Sequence, residues 1–540
     1  MSAMAAKAKQ HHLAFDLGAS SGKFFVSVYD GEKLTLEEIH RFDNYTVNIG
    51  GSIYWDFPML FNQYVNCIKK ALVAYPTLSS VGVDSFCNDF SLINACGDPM
   101  IPMRSYRDPR TIRNEEKIFA CMSREELYRI SGNQIAPFNT LMQLAAMRFE
   151  ERGGLLEDAW QLMFLPDLLT YLLTGERYTE RTLASVSQIY DHYSRDWSDE
   201  ALLAFGIERR IFAPFIDAGT FAGEINPDRI GEAGGVGRVG RTGEIEVASG
   251  LHICAARGSE TAAAGFGAGS MRGSHTAAAG LMVCAVPEHD TAAAFMAARA
   301  DKNTLVISSG TWMLVGCETE SPIINDFGFR YNIANEGGIS GRHRLIRNLM
   351  GFWILQEIRR EFLQENVEWD FGALAETAGE LPSFRWLFDV DLPEFFHPGD
   401  MRRKVKELCA RIYGSAPATP AEYTEAVCAS LAFKARWAME KIETLVGRRF
   451  KRINIIGGAS MNPYVAQTVA DLAALPVVCG PTEASALGNV MFQMIAFGEI
   501  AGVREGRDLI GGSLPFAFFE PKAAPGAREA YARFVETFEL

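Results

Sequence analysis

The nine residues Phe15-Asp16-Leu17-Gly18-Ala19-Ser20-Ser21-Gly22-Lys23 restrict the fold of this chain more than any other stretch. They follow a short apolar run and lead into a second, Phe24–Tyr29. The pattern reads as strand, tight turn, strand. Glycine and serine in the turn present backbone N–H groups and hydroxyls without bulk, as a phosphate cradle requires. Asp16, at the strand end, is placed to hold Mg²⁺ through water. The spacing is not that of a P-loop, because Gly18 and Gly22 are too close together and Phe24 follows Lys23. A plain Gly-rich hairpin turn gives the same pattern, so motifs farther along the chain decide between the two.

With 540 residues and 48% hydrophobic content, the chain is long enough for more than one core and suggests two to four domains. A formal charge of −14 leaves no electrostatic footprint for nucleic acid or for broad binding to anionic membranes. A nucleotide still fits, since a few local donors and a metal suffice. Ten cysteines without a C-x-x-C pair suit reduced thiols and a cytoplasmic setting rather than zinc or disulfides. The polar first residues, 1–11, read as a disordered start, and no apolar run is long enough for a membrane span.

Residues 12 to 41 predict a three-stranded meander turning at Asp30-Gly31, followed by a helix from about Pro58 to Ala74 and a buried strand over Ser80–Asp84. Helical patterns dominate from Thr140 to Gln188, with Gly175 ending one of them. A second block repeats the plan: strands Thr304–Ser308 and Thr311–Cys317 around a Ser309-Gly310 turn, helices over Arg347–Phe362 and Pro420–Val446, and strand Arg452–Ile456. A Gly-Gly turn, a helix from Asn462 and a last large helix over Glu483–Ala496 complete it. This mixed α/β pattern predicts two lobes with a cleft between them, over 12–300 and 301–500, with a C-terminal extension over 501–540.

Thr-Ala-Ala-Ala occurs at 261, 276 and 291, preceded by Glu260, His275 and Asp290. Copies this short cannot stack into a solenoid, and about 235–280 reads as a Gly/Ala-rich insertion. The third copy differs. A good strand, Leu281–Val286, precedes Pro287-Glu288-His289-Asp290-Thr291, and a helical run comes next. Asp290 is either a helix N-cap or a general base taking a proton from a substrate hydroxyl. Ser309-Gly310-Thr311-Trp312 is a second small-residue turn, and Gly457-Gly458 after Ile453–Ile456 a third, where a flat ring can approach the backbone. Trp312 reads as core packing and Asn139 as the N-cap of a helix from Thr140. Tyr106–Thr111 reads equally as sugar contact or as an ion-paired loop in which Arg107 and Arg110 satisfy Asp108.

In this order, these elements resemble the FGGY family of carbohydrate kinases, within the actin-like, ribonuclease H-like ATPase fold group. The residues that carry the resemblance are Asp16–Lys23, Ile39–Phe42, Tyr106–Thr111, Pro137–Leu141, His289–Thr291, Ser308–Trp312, Asn335–Gly338, Arg347–Gly351 and Gly480–Ser485. The likeness is strongest to members that act on L-rhamnulose. It implies an ATP- and Mg²⁺-dependent kinase phosphorylating the 1-hydroxyl of a ketose, with no nucleic-acid or membrane partner. Another ketose, such as L-fuculose or L-xylulose, or an ATP-binding sensor of the same fold, are the alternatives.

Carried over residue by residue, the resemblance implies that Ala19, Ser20, Ser21, Gly22 and Lys23 line the ATP phosphates. Thr311 and Gln356 would contact ATP and Gly458 the adenosine. His289, Asp290 and Thr291 would meet the sugar, with Asp290 the proton acceptor, and Asn348 would contact the sugar too. The chain departs from the family pattern in three places. Lys23 stands where the family has Arg, which keeps charge without bidentate geometry. Cys87 stands where a glycine is expected at the sugar, beside Asn88. The insertion also supplies a rival carboxylate, Glu260.

Overall fold

The computed structural model describes residues 10–100, 102–230, 280–381 and 384–540. The first two Thr-Ala-Ala-Ala copies and Glu260 lie outside the described residues.

Two sheets repeat one plan. In the first, His11–Leu17, Ser21–Tyr29 and Leu34–Asp43 form an antiparallel meander, and Leu78–Ser85 then Met282–Ala285 join in parallel beyond His11–Leu17. In the second, Thr304–Ser309, Trp312–Thr319 and His343–Met350 form the meander, and Arg452–Ile456 and Val477–Cys479 add in parallel. The hairpin at Asp30 closes because its carboxylate accepts the N–H groups of Glu32 and Lys33, at 2.9 and 2.8 Å.

Helices cross between the parallel strands. Phe57–Ala74 opens on Asp56, which accepts the Met59 N–H, with Pro58 in the first turn. Pro420–Val446 starts with a Thr419/Glu422 capping box and stops at Gly447, whose φ of +67° suits glycine. Gly175 ends the Leu165–Thr174 helix at φ +86°. Each sheet packs its helices over its own apolar core.

Two sequence expectations change. The helix expected from Arg347 begins at Trp353, and Arg347–Met350 belongs to a strand. That strand is largely buried, so it lacks the alternation that marks a half-exposed strand. Regular structure also continues past Ala496. Helix Val503–Ser513 packs between the lobes, strand Ala517–Phe519 pairs with Val477–Cys479 at the sheet edge, and helix Ala527–Thr537 sends Tyr531 and Phe534 into the second core. No helix among the described residues is long and apolar enough to cross a membrane.

The lobes meet along two helices, Asp290–Ala297 and Ala484–Ala496. Their approach is so close that a Cβ on Gly488 would lie 1.9 Å from the Ala293 carbonyl oxygen. The second-lobe helix is also bonded into the first sheet. Gln493 Nε2 donates to the Leu13 carbonyl at 3.0 Å and to Asn489 Oδ1 at 2.7 Å, and Asn489 Nδ2 donates to Asp84 Oδ2 at 2.7 Å.

Candidate active site

The parallel strands of both sheets end at one cleft, the usual ligand position in such folds. A cavity of about 460 Å³ lies there, with walls from both lobes. Asp16, Ala19, Ser20, Ser21, Lys23, Cys87, Asn88, His289, Asp290, Thr291, Thr311, Asn348, Gln356 and Gly458 all line it. Gly22 does not. It lies under Phe42, where an added Cβ would meet the ring at 2.3 Å, so its smallness serves packing rather than the cavity wall.

The first-lobe turn is closed by the Gly18 N–H donating to the Ser21 carbonyl at 2.9 Å. The facing turn is Ser309-Gly310-Thr311, held where the Gly310 N–H donates to the Trp312 carbonyl at 2.8 Å. Beside it, Gly457 (φ +77°) approaches Ser309 so closely that a Cβ would stand 3.0 Å from the Ser309 carbonyl oxygen. The buried Ser309 Oγ and Asn348 Oδ1 have no hydrogen-bond partner among the described residues. Such orphaned groups on a cavity wall fit a polar ligand.

Three carboxyls converge at the floor. Asp16 and Asp84 sit opposite each other on adjacent parallel strands. Burial pushes Asp16 up to about 6, with Lys23 pulling it down and Glu483 pushing it up. Burial and then the charge of Asp16 push Asp84 well above the usual carboxylate range. Burial, reinforced by Asp16, pushes Asp290 up to about 7, against hydrogen bonds from Thr291. Among the described residues no three His, Cys, Asp or Glu side chains are grouped so as to hold a metal by themselves. One or two carboxylates completed by phosphate oxygens and water are what Mg²⁺ takes, and this acidic floor fits that donor set.

Asp290 is not a helix N-cap. The helix begins at Asp290 itself, and its Oδ1 accepts the Thr291 N–H at 2.5 Å and the Thr291 hydroxyl at 3.1 Å. His289 precedes it with Nε2 3.6 Å from Asp290 Oδ1. On the other side of that ring, Nδ1 lies 3.4 Å from Arg344 Nη2 and 3.6 Å from Glu336 Oε2; the arginine can only donate, so a hydrogen bond from it puts the ring proton on Nε2. Burial, then the Arg344 charge, holds His289 well below its usual range, so it is neutral. Arg344 also pairs with Glu336 at 3.1 Å, its cross-strand neighbour.

Lys23 points at Glu483, with Nζ 2.7 Å from Oε2. Cys87 reaches the cavity as a thiol, its pKa pushed well up by burial and by Glu336 and Asp290. Asn88, at φ +78°, donates to Cys87 Sγ at 3.0 Å. Within Tyr106–Thr111, Asp108 pairs with Arg104 at 3.0 Å and Arg110 at 3.6 Å, while Tyr106 lines the cavity. Arg107 instead stacks on Tyr106 and on Trp353 of the second lobe. Asn139 occupies the N-cap position without capping, its amide donating to the Gln134 carbonyl and Gln188 Oε1, both at 2.7 Å. Trp312 packs on the second core and also lines the cavity. The sequence reading places Glu336 and Glu483 in motifs and Asp84 in a strand without giving them a role, and does not single out Arg344. For Asp84, Glu336 and Arg344 the available signal is a charged residue inside or ending a strand, which is rarely buried without a partner.

Residues 11–245 match the sequence profile of the FGGY family of carbohydrate kinases, N-terminal domain, and residues 305–497 that of its C-terminal domain. The rhamnulokinase of Bacteroides thetaiotaomicron is 32% identical over 529 residues, covering 97% of this chain and 99% of the relative. That of Klebsiella pneumoniae is 32% identical, covering 98% of each. Among solved structures, gluconate kinase from Lactobacillus acidophilus superposes with a TM-score of 0.74 at 12% identity, over 98% of both chains. Plasmodium falciparum glycerol kinase with ADP gives 0.73 at 12% identity, also over 98% of both. These two structures share the fold.

Proposed function

The chain belongs to the FGGY family of carbohydrate kinases, and from that premise we propose that it transfers the γ-phosphoryl group of ATP to the 1-hydroxyl of L-rhamnulose. The observation that carries this reading is one cavity holding Asp290, pushed up to about 7, between two phosphate-type turns. Relatives named rhamnulokinase over nearly the full chain support the choice of ketose.

In this reading the γ-phosphate lies between the Gly18–Ser21 and Ser309–Thr311 turns, whose N–H groups offset its charge. The adenosine rests on Gly457-Gly458. The ketose lies beside Cys87, Asn88, His289 and Asn348. Asp290 takes the proton of the 1-hydroxyl as that oxygen bonds to the γ-phosphorus and the bond to ADP breaks. Neutral His289 presents Nε2–H to the same side and orients the sugar without adding charge. Mg²⁺, which Asp16 would help hold through water, supplies charge neutralisation on the phosphate oxygens. Cleft closure excludes water as a competing acceptor.

The test is product analysis by ³¹P NMR with Mg·ATP and a panel of ketoses. A 1-phosphate of L-rhamnulose, formed faster than those of L-fuculose and L-xylulose, supports the reading. A preference for another ketose keeps the chemistry and moves the substrate, and Cys87 on the cavity wall is the residue that favours this second reading. Bound ATP with no phosphorylated sugar would leave an ATP-binding sensor.

A further inference from the structure

Behind the cavity floor lies a buried polar cluster that the reaction does not use directly. Glu180 ends a two-residue strand and caps the Arg181–Val186 helix. Its Oε2 accepts the Thr182 N–H at 2.8 Å, the Leu183 N–H at 3.3 Å and the Thr182 hydroxyl. The same oxygen accepts the Glu288 N–H at 3.2 Å. Thr182 Oγ1 in turn accepts the His289 N–H at 3.2 Å. Two successive backbone donors, immediately before Asp290, thus end on one carboxylate and the hydroxyl bonded to it.

The arrangement has little freedom. Both Glu180 and Thr182 are buried. The Thr182 hydroxyl donates to Glu180 and accepts from His289, so both of its roles are used. From the other side, the Ser85 N–H donates to the Glu288 carbonyl at 2.9 Å, tying the segment to the central strand. Asp290 comes next in the chain, and among the described residues its own carboxyl has only Thr291 as a hydrogen-bonding neighbour. Its aim therefore depends on the backbone at 288 and 289.

We propose that Thr182, backed by Glu180, is a positioning residue for Asp290: its hydroxyl fixes the His289 amide and so directs the Asp290 carboxyl toward the substrate hydroxyl. This rests on the reading of Asp290 as the base. Thr182 touches neither nucleotide nor sugar in that reading, so its loss acts on turnover rather than on ATP binding. A base displaced by about 1 Å costs on the order of 10²-fold in rate.

The test compares Thr182→Val, which keeps the shape and removes the hydroxyl, with Thr182→Ser, which keeps the hydroxyl. The expected result is a kcat lower by about 10²-fold in T182V, with an unchanged KM for ATP, and a T182S enzyme close to wild type. Should T182V not fold, Thr182→Ala carries the same comparison. Full turnover in T182V overturns the inference, and so does a T182S enzyme as slow as T182V, which would show that the hydroxyl alone does not set the rate. Asp290→Asn is measured alongside. A slow D290N enzyme beside a fast T182V enzyme overturns this inference alone. A D290N enzyme as fast as wild type overturns the reading of the base, and this inference with it.

Discussion

Lys23 Nζ and Glu483 Oε2 stand 2.7 Å apart across the cleft, joining the first-lobe turn to the start of the second-lobe helix Ala484–Ala496. Both side chains keep about a quarter of their surface exposed, and Arg41 lies 3.9 Å from the same carboxylate. A pair so exposed is weak and screened by salt. It therefore acts as a resting partner that a phosphate can displace. K23A should raise the KM for ATP by about 10-fold, roughly 1.4 kcal/mol, and leave the ketose KM unchanged. Glu483→Gln should lower the KM for ATP, because it frees Lys23 and removes a charge that pushes Asp16 up. Steady-state kinetics with varied ATP checks both, and a higher KM in E483Q would contradict the account.

Asp290, pushed up to about 7, must be ionised to accept a proton. Turnover at low substrate should therefore rise with pH and reach half its plateau near 7. Stability moves the other way. A carboxyl whose folded pKa lies above its unfolded value binds more protons when folded, so its contribution is present below the unfolded value and lost as pH rises through about 7. D290N should thus be more stable than wild type at pH 8, on the order of 1 kcal/mol, and gain nothing at pH 4. Thermal unfolding at the two pH values measures this.

Cys87 narrows the cavity wall beside Asn88 and His289. Removing its side chain with Cys87→Gly should change the ketose KM by about 10-fold, lowering it for bulkier sugars, and leave the KM for ATP within about twofold. As a protonated thiol it should also react with iodoacetamide after the exposed Cys96 and Cys121. Peptide mapping after timed alkylation gives the order.

Gly488→Ala should cost about 2 kcal/mol or more, because the new Cβ meets the Ala293 backbone rather than a side chain that can turn away. Urea unfolding measures the loss. Since Asp290 starts the helix that would be pushed, turnover should fall with stability.

Much of the site was legible because its parts are short turns at the ends of strands. Asp16, the Ser309–Thr311 turn, Gly457-Gly458 and Asp290 announce themselves through glycine, serine and a carboxylate at a strand end. Register and long-range pairing were not legible. Glu336 and Arg344 meet only because their strands pair at that position, and Glu180 reaches Glu288 across 108 residues. The strand His343–Met350 was misread in part because burial along its length removes the alternation that separates strand from helix. At Gly22 the turn pattern does not show that the ring of Phe42, from another strand, leaves no room for a side chain.

The most direct test of the central claim is L-rhamnulose-dependent ADP release by the wild-type enzyme and by D290N, with ATP binding measured on both. The account predicts sugar-dependent release in the wild type, a fall of about 10²–10⁴-fold in D290N, and unchanged ATP affinity. Near-normal release by D290N would contradict it and remove Asp290 from the chemistry.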